Sequence, residues 1–215
     1  MNFTIIDTGL VVKLLLLLLI GMGPKLALVP FLEKTKHLDA ATQRAVGRRM
    51  VMVAVVTAIV LLAIGWLLMR LLHITGGAVA VGGAIVLAIL AIKMAAGPVG
   101  PAEEELGGAP EDPQKMAVYP LAVPYLLNPV GITILIIASG EIVSVASAGL
   151  VLGLVLLVGA VDYLIFANID KLSKRLNPIG LVISEVVFGI LLTAVAVQLM
   201  VYGLGELGII TAAKH

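Results

Sequence analysis

Three ionisable side chains lie inside apolar stretches that charges otherwise avoid: Lys25, Asp162 and Glu185. Each costs on the order of 2.5–3.5 kcal/mol at the centre of a membrane helix. Such residues mark ion pairs, proton relays or ligand contacts. At about 1.5 Å of rise per residue, Asp162 and Glu185 fall at similar depth, roughly 9 Å from the middle of the bilayer. Lys25 falls slightly deeper. Lys25 is therefore expected to pair with Asp162 or Glu185 around a cavity on the basic side, with one carboxyl titrating during function. The competing account is snorkelling, in which the stem stays in hydrocarbon and the charged head reaches the interface.

Two dipeptides add a second kind of chemistry. Gly23-Pro24 and Asn128-Pro129 both fall near the centres of apolar spans. Proline removes a backbone donor, and a Gly or Asn just before it fits an N-cap with Pro at the first helical position. Both spans are expected to break and restart there. A half-helix N-terminus presents free N–H groups and the positive end of the helix dipole, which suits a carboxylate. Irregular backbone at this depth is tolerated only where it is buried or lines a cavity. The competing account is a pair of packing kinks. The candidate substrate-binding set is Gly23, Pro24, Lys25, Asn128, Pro129, Gly131, Thr133 and Gln198, with Asp162 and Glu185 as the ionisable coupling groups. Pro30, Pro120 and Pro124 are expected to bend the same spans, and Gly82-Gly83, Gly149, Gly153 and Gly189 to permit close helix approach.

The rest of the chain excludes other chemistries. It has 215 residues, 61% hydrophobic and 13% charged, with a mean hydropathy of +1.18. Soluble domains carry about 25% charged residues, so this chain cannot cover a globular surface. The net charge of +1 argues against phosphate-backbone binding. There are no cysteines, and His37, His73 and His215 lie in or beside polar segments. Neither HExxH nor GxSxG occurs. No catalytic residue, metal or cofactor is expected.

Six segments have the roughly 20 apolar residues that crossing the hydrocarbon requires: 9–32, 50–70, 76–96, 117–138, 143–166 and 179–204. Lys13 followed by Leu14–Ile20 has the look of a signal peptide, but the apolar run continues past Ala27 to Phe31 and reads as a first span. Ten basic residues fall in or beside the loops on one side, and three (Lys13, Arg70, Lys214) on the other. The basic side is expected to be cytoplasmic, which makes this a multi-pass protein of the plasma (cytoplasmic) membrane with both termini extracytoplasmic. Residues 97–116, rich in Pro and Gly with Glu103-Glu104-Glu105, read as a flexible acidic linker. They divide the domain into halves 1–96 and 117–215. Three spans is an odd number, so the second half enters inverted. A shift of 105 residues puts Pro24 on Pro129 and Arg70-Leu71 on Arg175-Leu176. The expected fold is thus an all-α membrane protein, with six transmembrane helices in a 3+3 inverted-topology repeat and helices one and four broken.

The run Pro120-Leu121-Ala122-Val123-Pro124, followed by Asn128-Pro129 and Ile132-Thr133, resembles the fourth-span signature of the MarC family of integral membrane proteins. Gly189 through Val195-Ala196-Val197-Gln198 is similar to that family's last-span pattern, and Pro24 with Phe31-Leu32 and Thr35 to its first-span frame. The resemblance runs the whole length. It implies six spans with both termini outside, and a family that includes transporters of small neutral amino acids such as glycine and alanine. The first span departs from the pattern: many members have Asn or Asp before the first proline and x-Gly-Asn-x-Pro after it, where this chain has Gly23-Pro24-Lys25-Leu26-Ala27-Leu28-Val29. The expectation is a secondary transporter of a small zwitterion or anion, with protons or Na+ as candidate coupling ions and a homo-oligomer as a candidate assembly. Rival readings are a non-transporting assembly factor or sensor and, further off, a drug exporter.

Overall fold

The computed structural model describes residues 8–96, 112–142, 144–173 and 178–211, with no strand among them. The first span consists of α1 (Thr8–Met22) and α2 (Pro24–Thr35), which run on as one 28-residue stretch interrupted at Gly23. Then come α3 (Ala40–Leu71) and α4 (Gly76–Ala95). The fourth span starts with α5 (Pro113–Met116) and an irregular, π-type stretch, Ala117–Leu126, and continues as α6 (Pro129–Glu141) after a 72° bend. The fifth is α7 (Val145–Ala167), followed by the short α8 (Ile169–Ser173), and the sixth is α9 (Pro178–Glu206). Linker residues 97–111 lie outside the described residues.

Local chemistry sets the helix starts. Asp39 accepts from the N–H groups of Ala41 and Thr42 at the head of α3, and Thr75 from that of Ala78 at the head of α4. Ser144 and Ser147 cap α7 reciprocally. Each cap satisfies donors that a helix start leaves without partners. The irregular stretch has an equally local origin. Residues before proline are driven to extended geometry, and Tyr119 (φ −134°, ψ 129°) and Val123 (φ −133°, ψ 123°) precede Pro120 and Pro124. Both X-Pro bonds are cis. At the basic end, Arg49 of α3 donates to Gln114 at 3.0 Å, joining the two halves of the chain.

The first span packs on the fourth and on α7, α3 on the fourth span and on α7, and α4 above all on α9. The centre belongs to α6, which also touches α3 and α4 and buries eight of its 13 residues. The α4–α9 contact depends on small residues. A Cβ at Gly203 would lie 2.7 Å from the Gly77 carbonyl oxygen, and one at Gly189 2.6 Å from the Ala95 nitrogen. Backbones approach this closely in membranes because packing, rather than water exclusion, drives helix association. Gly83 presses on Thr133 in the same way, whereas Gly82, Gly149 and Gly153 face open space. The outer face of α9, with Ile183, Val187, Ile190 and Val197, is exposed and apolar, as a lipid-facing surface must be.

Candidate functional site

The two broken spans meet. Pro24 has no amide hydrogen, so the carbonyl of Ile20, four residues back, loses its helical donor. Gly23 leaves helical geometry (φ −82°, ψ 163°), which frees the Gly21 carbonyl as well. The fourth span supplies both missing donors. Asn128 Nδ2 donates to the Ile20 carbonyl at 2.6 Å, and the Asn128 backbone N–H to that of Gly21 at 2.9 Å. Its Oδ1 accepts from the N–H groups of Val130 (2.9 Å) and Gly131 (3.3 Å), capping α6. The amide orientation follows from this network, with the oxygen facing donors and the nitrogen an acceptor. Asn128 is fully buried. A Cβ at Gly21 would sit 2.5 Å from the Gly131 nitrogen, and one at Gly131 would run into the Gly21 carbonyl. The two backbones therefore touch where they cross.

This crossing changes what the helix ends can bind. In α6 the first-turn donors are spent. Pro129 has none, Val130 and Gly131 bond Asn128 Oδ1, and Ile132 N–H bonds the Asn128 carbonyl at 3.0 Å. No donor of that turn is left for an anion in this conformation. The α2 end is different: Gly23 brings no side-chain acceptor, and a side chain there would collide with the Leu19 carbonyl. The α2 end thus lacks the cap that Asn128 gives its counterpart.

The remaining expected residues scatter around the crossing. Lys25 reaches toward α9, its Nζ 4.3 Å from the centre of the Phe188 ring, a cation–π geometry. Phe188 and Gln198 line a groove of about 410 Å³ that runs along α9 beside Ile20. The groove lies next to the crossing, because the carbonyl of Ile20 is the one that Asn128 holds. Thr133 is buried one turn along α6, against Gly83. A second cavity of about 430 Å³ lies between Trp66, Arg70, His73, Thr75 and Gly140, with the Arg70 guanidinium 5.3 Å from the Trp66 ring.

Asp162 is apart from this cluster and does not pair with Lys25. It lies on the face of α7 that carries Val155, Val158, Gly159 and Phe166, is fully buried, and among the described residues has no hydrogen-bond partner on either carboxylate oxygen. The side chain of Glu185, on α9, lies outside the described residues. The sequence reading missed Gly21, Phe188 and the Phe31–Phe166 contact. Only Gly21 carried a signal, since the proline at position 24 disrupts the turn that contains it.

No solved structure matches the chain significantly. It is 25% identical to a UPF0056 membrane protein of Pyrococcus horikoshii over 203 residues, 92% of this chain and 98% of the relative. A UPF0056 membrane protein of Methanocaldococcus jannaschii is 25% identical over 185 residues, 85% and 90% of the two chains. One from Buchnera aphidicola is 29% identical over 119 residues, 55% and 58%. The family model described as MarC family integral membrane protein matches residues 8–207. With that match spanning all the membrane helices, the chain belongs to the MarC family of integral membrane proteins.

Proposed function

We propose that the protein is a secondary transporter of a small zwitterion or anion, with small neutral amino acids as the leading substrate class. The observation that carries this reading is the crossing of two proline-broken spans beside an uncapped α2 N-terminus and Lys25. Irregular backbone inside a bilayer is stable only where protein or a cavity satisfies it, and such breaks mark substrate sites in transporters. The substrate carboxylate approaches α2 and Lys25, and its ammonium group meets the side-chain oxygen of Gln198 in the groove along α9. A 3+3 inverted repeat is supported by the proline breaks of spans one and four, which fall 105 residues apart at Pro24 and Pro129. Alternating access then rocks one half on the other, in a cytoplasmic membrane with the basic loops inside.

The apolar lining of the groove, Ile20, Leu191, Leu192 and Val195 among others, favours a second reading, export of an apolar solute. Counterflow of labelled glycine and alanine in proteoliposomes separates the two. Exchange that Lys25→Ala abolishes supports the amino-acid reading. Exchange that is indifferent to Lys25 moves the substrate away from the first break. A solute that competes through apolar bulk alone supports the export reading.

A further inference from the structure

Among the described residues Asp162 has no hydrogen-bond partner, yet it is the most costly group in the core to leave without one. An ionised carboxylate taken from water into an apolar interior without donors costs several kcal/mol. The site must therefore hold a positive charge beside or on the carboxyl. The surrounding elements supply none to its oxygens. α7 packs on α1, α3 and α8. The charged residue of α1 is Lys13, which is exposed. Those of α3 are Arg44, Arg48, Arg49 and Arg70. Arg48 lies over Tyr163 at 5.8 Å, Arg49 bonds Gln114, Arg44 bonds the Ala40 carbonyl and Arg70 lies over Trp66. In α8, Lys171 is exposed, and the side chain of Asp170 lies outside the described residues. α2, which meets α7 through Phe31, carries Lys25 over Phe188 and Glu33 and Lys34 toward its basic end.

The geometry around Asp162 also fixes what closes it. Phe166 lies one turn along the same face, about 6 Å nearer the basic end of the helix. Its ring centre is 5.0 Å from that of Phe31, and both rings are fully buried. Gly47 of α3 backs the pair, since a Cβ there would lie 3.0 Å from the Phe166 Cβ and 3.5 Å from the Phe31 ring. Further along α3, Val55 fills the place beside Gly159. Between those two contacts α3 brings Met50, Val51 and Ala54, all buried and apolar. Asp162 thus lies buried on a face of α7 that packs on apolar residues, and one turn toward the basic side the two phenylalanine rings pack together.

A hard metal ion needs several oxygen ligands. Among the described residues no three acidic or histidine side chains gather, and α7 is regular helix at Asp162, so its carbonyls there are committed to helical bonds. A proton needs one oxygen. We infer that Asp162 is the coupling site of this transporter, that its cargo is a proton, and that the Phe31–Phe166 pair is the gate between it and the basic face. The coupling role rests on the transport reading; the gated, proton-carrying carboxyl rests on packing alone. When the rings part, water enters, the O–H proton passes to water and the carboxylate left behind is hydrated. The reverse transfer restores the neutral acid before the rings close.

Carbodiimides add to protonated carboxyls, so the test uses the full chain in liposomes, labelled with dicyclohexylcarbodiimide or with a water-soluble carbodiimide and read by mass spectrometry. Dicyclohexylcarbodiimide should label Asp162, Na+ should not protect it, and Asp162→Asn should abolish the label. The water-soluble reagent should label it only in Phe166→Ala, with Phe166→Leu restoring protection. If Phe166→Ala does not fold, Phe31→Ala, with Phe31→Leu as its protected control, gives the same comparison. Protection by Na+ overturns the proton, and equal water-soluble labelling of wild type and gate variants overturns the gate. In counterflow, Asp162→Asn should keep solute exchange and lose accumulation driven by a pH gradient. Retained pH-driven accumulation overturns coupling. A wild type that exchanges no solute overturns the transport reading and coupling with it, while the labelling still decides the proton and the gate.

Discussion

Replacing Asn128 by Ala removes two separable contributions. One is the cap on Val130 and Gly131, and loss of an Asn N-cap costs about 1 kcal/mol. The other is the bond from Nδ2 to the Ile20 carbonyl. Hydrogen bonds between membrane helices contribute about 0.6 kcal/mol on average and up to about 1.7, because the unfolded chain also finds partners in the bilayer. The total for Asn128→Ala is about 2 kcal/mol. Asn128→Ser retains a cap but cannot span the gap, so it should lose only the interhelix part. The decisive step is a double-mutant cycle with Pro24→Ala. That change returns an N–H to position 24, lets the turn from residue 20 close, and makes the Asn128 donor redundant. The cost of Asn128→Ala should fall there to the cap alone, about 1 kcal/mol. Reversible unfolding in mixed micelles, followed by fluorescence of the single tryptophan, Trp66, measures each corner. An unchanged cost in the Pro24→Ala background would show that Asn128 does not replace the donor that proline removes.

Four further outcomes follow from the same structure. Gly131→Ala puts a methyl group into the Gly21 carbonyl; with backbone on both sides it should cost at the upper end of the roughly 1–3 kcal/mol typical of overpacking. Gly153→Ala, in open space, should stay within about 0.5 kcal/mol of wild type in the same unfolding assay. Gly203→Val should push α4 from α9, because a Cβ already lies 2.9 Å from the Val81 nitrogen. The cysteine-free chain allows this to be read as lower disulfide yield between cysteines engineered on the two helices. The Asp39 carboxyl is held below its ordinary range by the Thr42 hydroxyl, then by the backbone N–H of the same residue. Its stabilisation of α3 should therefore be complete above the unfolded value near 3.9 and vanish as pH falls through the lower folded value. Hydrogen exchange at the start of α3 should show this acid limb, and Asp39→Asn should abolish it.

Apolar length made the spans legible and proline located both breaks, but α3 starts at Ala40, ten residues before the apolar run at 50, because the Asp39 cap and not hydropathy sets its start. The partners of the breaks were not legible. Asn128 reads in the sequence as an N-cap beside a vacant anion site, yet its second function, holding the Ile20 carbonyl, joins residues 108 positions apart. Depth arithmetic placed Lys25 and Asp162 at comparable heights but gives no azimuth. Lys25 points to Phe188 on α9, and Asp162 lies on the face of α7 that packs on α1 and α3. Glycines behaved in the same way. Gly83 and Gly189 meet neighbours closely, while Gly149 and Gly153 of the same composition meet nothing, because a small residue permits an approach without creating one. Span four also differs from span one more than a repeat implies, with a 72° bend against a one-residue interruption. Pro120 and Pro124 lengthen its irregular stretch and have no counterparts 105 positions earlier.

The distance along the chain between Ile20 and Asn128 has a consequence for biosynthesis. Spans leave the ribosome in order, and the residues that separate the two take about 5–20 s to synthesise at ordinary rates. Throughout that interval the first helix is in or near the membrane with two carbonyls that its own backbone cannot satisfy. Until span four arrives, water in the insertion channel or polar groups of the insertion machinery must cover them. The first half of this protein is therefore inserted as an unfinished piece, and the asparagine that completes it is delivered with the second.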